Sequence, residues 1–170
     1  MRRFWFSRIA TASSICRLQC SDTRSRLNPV SGQNVELHRR AVEAFNARDV
    51  DAFLAYLNPS IEFHSVLAAV DGETYLGHDG IRSWYRSLKD AWGDEFRGEA
   101  EAFFDLGEYT LLFHVVYARG RHSGAEVAMQ AAQVARWRDG LCVYFKAYVH
   151  REDALRDLGV SEDALEPIAP

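Results

Sequence analysis

A chain of 170 residues, 48% apolar and 12% aromatic, holds enough hydrophobic mass for one domain with a packed core. Its net charge of −4 conceals a split, because residues 1–33 carry six arginines against one acid and the remainder holds 14 Lys and Arg against 23 Asp and Glu. The acidic body argues against binding nucleic acid or an anionic membrane, and no run reaches the ~20 apolar residues of a membrane-spanning helix.

Residues 1–33 are rich in Arg and Ser and show no sustained period. The opening MRRFWFSRIATASSI has the composition of a mitochondrial presequence, whereas Arg8 and Arg17 leave too short an apolar core for a secretory signal. The other reading is a basic tail, disordered or added by an upstream start. On either reading the expected domain is residues 34–160, with 161–170 as a loose tail. The expected compartment is the cytoplasm, or the mitochondrion if the presequence is genuine. Cys16, Cys20 and Cys142 make an odd count, and no Cys/His spacing fits a zinc site, so no metal is expected.

Asn34 is a helix-capping residue, and His38, Ala41, Val42 and Phe45 follow at the spacing of one helical face. Asp49 should cap a second short helix burying Phe53, Leu54 and Leu57, with Asn58-Pro59 ending it. Ser60 to Leu67 alternates as a strand, with Thr74 to Leu76 as a short partner. Gly77 opens a third helix whose Ile81, Trp84, Tyr85, Leu88 and Trp92 form the clearest apolar stripe in the chain. Four strands follow: Glu95 to Leu106, Tyr109 to Arg119, about Ala125 to Trp137, and Leu141 to Val149. The first alternates, with Phe96, Ala100, Ala102, Phe104 and Leu106 expected on one buried face. Asp139-Gly140 is a strong hairpin signal. Arg151–Leu158 reads as a closing helix stopped by Gly159. The middle strands are apolar on both faces, so a second subunit on the outer sheet face, a homodimer, is expected.

The stretches AFNARDVDAFLAYLNPSIEF, YLGHDGIRSWYRSL and RDGLCVYFKAYVHREDALRDLGV resemble the SnoaL-like branch of the nuclear transport factor 2-like superfamily, over roughly Asn34 to Val160. That resemblance implies an α+β conical, cystatin-like roll. Three N-terminal helices would pack on a curved, mostly antiparallel sheet, with a short C-terminal helix and one enclosed pocket. Relatives include ketosteroid isomerase, polyketide cyclases, limonene epoxide hydrolase and non-catalytic binding proteins. Aligned through Asn46-Ala47-Arg48-Asp49, His64 falls where the isomerase has its aspartate base, and Ala41 falls where it has an oxyanion-binding tyrosine. Alanine cannot donate a hydrogen bond, which argues against that machinery. Val127 to Trp137 contains no acid, so the epoxide-hydrolase Asp–Arg–Asp set cannot be assembled, and the cyclase aspartate has no sure counterpart.

The candidate bases are therefore His64, in a strand of mixed polarity, and His114, which sits amid Leu111, Leu112, Phe113, Val115 and Val116 and must be buried. Each is also explained as a histidine bonded to a neighbour. Gln130 and Gln133 lie on opposite strand faces, and Gln133, sharing parity with Met129, Ala131 and Trp137, is expected to point inward. Tyr75, Trp84, Gln133 and Tyr148 are the candidate ligand contacts, although core packing also accounts for Trp84 and a structural bond for Tyr148. The expected function is an apolar pocket for a small hydrophobic organic ligand. As an enzyme, it would be an isomerase or cyclase working by acid/base proton transfer without a cofactor. The alternative is a non-catalytic ligand-binding or dimeric assembly module of the same fold.

Overall fold

A computed structural model describes residues 31–66 and 74–170. The basic segment through Val30, with Cys16 and Cys20, lies outside the described residues, as does Leu67 at the end of the expected first strand. Elements run α1 (Ser31–Asn46), α2 (Val50–Leu54), β1 (Leu57–His64), β2 (Thr74–Leu76), α3 (Gly77–Trp92), β3 (Phe96–Leu106), β4 (Tyr109–Arg119), β5 (Glu126–Arg138), β6 (Leu141–Tyr148) and α4 (Arg151–Leu158). The six strands form one sheet in the order β2-β1-β6-β5-β4-β3, antiparallel except for the parallel β1–β6 pair. This is the expected α+β roll. The inner face carries α1, α2 and α3, and α4 packs on the outer face.

Local chemistry explains most boundaries. Asp49 caps α2, accepting the Ala52 N–H at 2.9 Å. Asp139 and Gly140 both adopt positive φ, 51° and 79°, as a tight hairpin between twisted strands demands. Gly159 closes α4 in the left-handed conformation. Gly77 has φ 64°, and a Cβ there would lie 2.8 Å from the Pro59 carbonyl oxygen, so the β2–α3 junction tolerates little else.

Four expectations change. Helix α1 starts before Asn34, whose side chain does not cap; it donates to the Gly107 carbonyl at 2.8 Å, tying the helix to the β3–β4 turn. Asn58-Pro59 lies inside β1, where the pairing with β6 is irregular between Leu57 and Glu62, so the proline's missing N–H interrupts no regular ladder. Alternation along β3 breaks at a bulge between Ala100 and Ala102. Phe96, Gly98 and Ala100 face inward, but Ala102 and Phe104 turn outward to meet α4, because one extra residue reverses every side chain beyond it. The final ten residues return to the sheet, with Ile168 exchanging two backbone hydrogen bonds with Phe103 at 2.7 and 2.9 Å.

The inner core joins Ala41 and Ala44 of α1, Phe53 and Leu54 of α2 and the apolar stripe of α3 to the sheet. Its centre is aromatic: Phe63 stacks on Phe145 at 4.4 Å and packs against Trp84 at 4.5 Å.

Candidate functional site

Between the helices and the inner sheet face lies a cavity of about 60 Å³. A water molecule needs at least ~10–15 Å³, so the space holds a few waters or a ligand of few atoms, well below the ~300 Å³ of sites for drug-sized molecules. Its walls are predominantly apolar and include the aromatic rings of Phe45, Phe63, Trp84, Trp137 and Phe145. Trp84 donates its indole N–H to Ser65 Oγ at 2.8 Å, which settles the polar edge of that ring. Arg97 borders the cavity, but its guanidinium lies over the Tyr117 ring at 4.3 Å.

Three polar side chains stand out in this apolar wall: His38 from α1, His114 from β4 and Gln133 from β5. Both histidines are nearly sealed from solvent, at 2% and 3% exposure. Burial pushes each imidazole down to about 4, so both are neutral at pH 7. The Arg151 guanidinium adds to the effect on His114, and His114 in turn disfavours a charge on His38. Gln133 pulls His38 the other way, yet stands outside hydrogen-bonding geometry. His38 Nδ1 lies 2.9 Å from Thr110 Oγ1, which also receives the Trp137 indole N–H at 2.8 Å. The Nε2 atoms of both histidines are buried without a hydrogen-bond partner. A buried polar atom left unpaired costs roughly 1–3 kcal/mol, and Gln133 is the polar side chain that acts on His38. Gly98, on the neighbouring strand, makes room for His114: a Cβ there would sit 3.3 Å from its Nδ1.

A family model of the SnoaL-like domain matches residues 38–145, which spans part of α1, all of α2 and α3 and most of the sheet. The chain belongs to the SnoaL-like domain family. Solved structures agree on the fold. A nuclear transport factor 2-like protein of unknown function from Burkholderia pseudomallei is 24% identical, with a TM-score of 0.63, covering 73% of this chain and 95% of the other. A putative SnoaL-like polyketide cyclase from Jannaschia is 14% identical at a TM-score of 0.63, covering 77% and 94%. A Catenulispora acidiphila protein of ketosteroid isomerase-like fold, in complex with trimethylamine, is 14% identical at a TM-score of 0.61, covering 75% and 95%. No curated protein matches the chain. At these identities the likeness carries the fold alone.

Within this SnoaL-like domain, His114, Gln133 and Trp84 meet at the cavity. His64 does not join them. It follows Phe63, which points inward, so its own ring falls on the opposite sheet face, bonded to Glu62 Oε1 at 2.6 Å and Thr74 Oγ1 at 3.0 Å. Tyr148 also lies on the outer face, donating to Asp157 Oδ2 at 3.0 Å while Lys146 holds the same oxygen at 2.6 Å. Burial and that carboxylate raise the phenol above its usual range. Tyr75 is buried in the inner core but does not line the cavity. Gln130 is exposed on the outer face. His38 was missed as a site residue although it sits in the α1 stripe. The available signal was a polar side chain at a position that alanine and phenylalanine otherwise fill. Among the described residues, no group of three or more His, Cys, Asp and Glu could hold a metal ion, and no helix is long and apolar enough to cross a membrane.

Proposed function

We propose that the cavity binds a small, uncharged organic ligand and moves a proton at carbon, with His114 as the base and Gln133 steadying the oxygen that gains charge. The observation that carries this reading is the pair of neutral, buried imidazoles, each with an Nε2 that makes no hydrogen bond, lining a predominantly apolar cavity. A neutral histidine is a competent base, and low polarity strengthens every hydrogen bond made to developing charge. Among the described residues, the one charged side chain that borders the cavity, Arg97, lies over the Tyr117 ring, which favours an uncharged ligand. Membership of the SnoaL-like family, whose fold is shared by a putative polyketide cyclase, is consistent with this class of reaction.

An NMR titration with small ketones tests the binding. Shifts should cluster at His114, Gln133 and neighbouring cavity residues, and His114→Gln should weaken them. Shifts confined to the outer sheet face around Tyr144 and Tyr148, or none at all, overturn the assignment.

A homodimer through the outer sheet face is part of the proposal. Helix α4 covers Phe104, Phe113 and Ala132, but Val115, Tyr117 and Tyr144 remain only half-buried on the same face. Light scattering coupled to gel filtration should give twice the chain mass, and a strict monomer contradicts it.

A further inference from the structure

We infer that His38 is a second hydrogen-bond donor of this cavity, beside Gln133, its proton held on Nε2 by a relay from Trp137 through Thr110, and that the acceptor it serves is the carbonyl oxygen of a small neutral ligand. The inference rests on reading the cavity as a proton-transfer site and adds to Gln133 a second group that polarises the carbonyl.

The relay follows from what each group can do. An indole N–H only donates, so Thr110 Oγ1 accepts from Trp137 Nε1 at 2.8 Å. Thr110 is fully buried, and its hydroxyl has one proton to place. Among the described hydrogen bonds, the other side chain within reach is His38, with Nδ1 at 2.9 Å. A buried hydroxyl does not leave its proton unshared without cost. The O–H therefore points at His38 Nδ1, which must be the lone-pair nitrogen. Burial keeps the ring neutral, so its single proton sits on Nε2. That nitrogen, on the edge of the ring away from Thr110, is buried and makes no hydrogen bond, and Gln133 is the polar side chain that acts on the ring. The ring cannot swing to find another acceptor, being wedged edge-on to Phe103 at 5.5 Å and against Trp137 at 6.0 Å.

The result is a fixed N–H donor in a space that His114 shares. A neutral imidazole that polarises a carbonyl is a known catalytic device, because it donates without adding a charge that the apolar site would resist. In the forward step the lone pair of His114 takes a proton from the carbon beside the carbonyl. The C–H electron pair becomes the new C=C bond, and the carbonyl π pair moves to oxygen, where the His38 Nε2–H receives it. Return of the proton from His114, to the same or a conjugated carbon, restores both residues. No oxidant or co-reactant is consumed.

The test reads the tautomer directly. Long-range ¹H–¹⁵N spectra of the histidine rings, taken on ¹⁵N-labelled protein without ligand, should show His38 protonated on Nε2 with Nδ1 as the lone-pair nitrogen. Thr110→Val removes the hydroxyl at constant shape and should mix the tautomers and weaken ketone binding about tenfold, one good hydrogen bond. Thr110→Ser should restore both, separating the relay from a loss of packing. A wild-type proton on Nδ1, or an unchanged tautomer in Thr110→Val, overturns the relay even if ketones bind. The expected tautomer in a protein that binds no ketone upholds the relay and overturns the functional reading beneath it.

Discussion

Replacing His114 with glutamine should flatten the acid limb of the stability curve. In the unfolded chain a histidine titrates near 6.5, whereas burial holds His114 at about 4 in the fold. As pH falls through 6.5 the unfolded state takes up a proton that the folded state refuses, so stability is lost between about pH 6.5 and 4 and not above it. At about pH 5 the deficit is roughly 2 kcal/mol for His114, and a similar amount for His38. Glutamine keeps a polar side chain but does not titrate. Urea unfolding at about pH 7.5 and pH 5 should therefore show the wild type losing roughly 2 kcal/mol more than His114→Gln across that interval. Carboxylates contribute equally to both proteins and cancel in the difference. Equal losses would mean that His114 titrates normally, and the neutral pair would be refuted.

Two further outcomes follow from contacts around the cavity. Asn46 acts as a substitute strand at the edge of β3, donating to Gly98 O at 2.7 Å and accepting from Gly98 N at 2.9 Å, so Asn46→Ala should cost about 2–3 kcal/mol in chemical denaturation. Cys142 is buried and its thiol is pushed up to about 12, so peptide-level mass spectrometry should find it unlabelled by iodoacetamide in native protein and fully labelled in urea.

The elements themselves were legible because their periods are clean. The stripe from Ile81 to Leu88 admits only a helix, and Asp139-Gly140 only a tight hairpin. The inward turn of Gln133 was also readable, since parity with Met129, Ala131 and Trp137 carries unbroken along β5. The faces of β3 were not, because a bulge leaves no sign in an alternating sequence and yet sends Phe104 to the other side of the sheet. The site was half legible. His114 announces itself as a polar residue amid obligate core, but His64 drew attention by alignment to a relative's base and then landed one residue out of phase, on the outer face. His38 hid in a helical stripe, and its meaning depends on Thr110 and Trp137, which lie 72 and 99 positions away and meet it only in the fold.

Proton transfer at carbon by this buried pair of neutral histidines can be observed directly. Deuterium incorporation into small ketones in D₂O, followed by NMR, measures that event without requiring the natural substrate. Exchange beside the carbonyl should run above the buffer rate, be abolished in His114→Gln and be reduced in Thr110→Val. Exchange that stays at the buffer rate across the ketone panel, or that persists undiminished in His114→Gln, would contradict it.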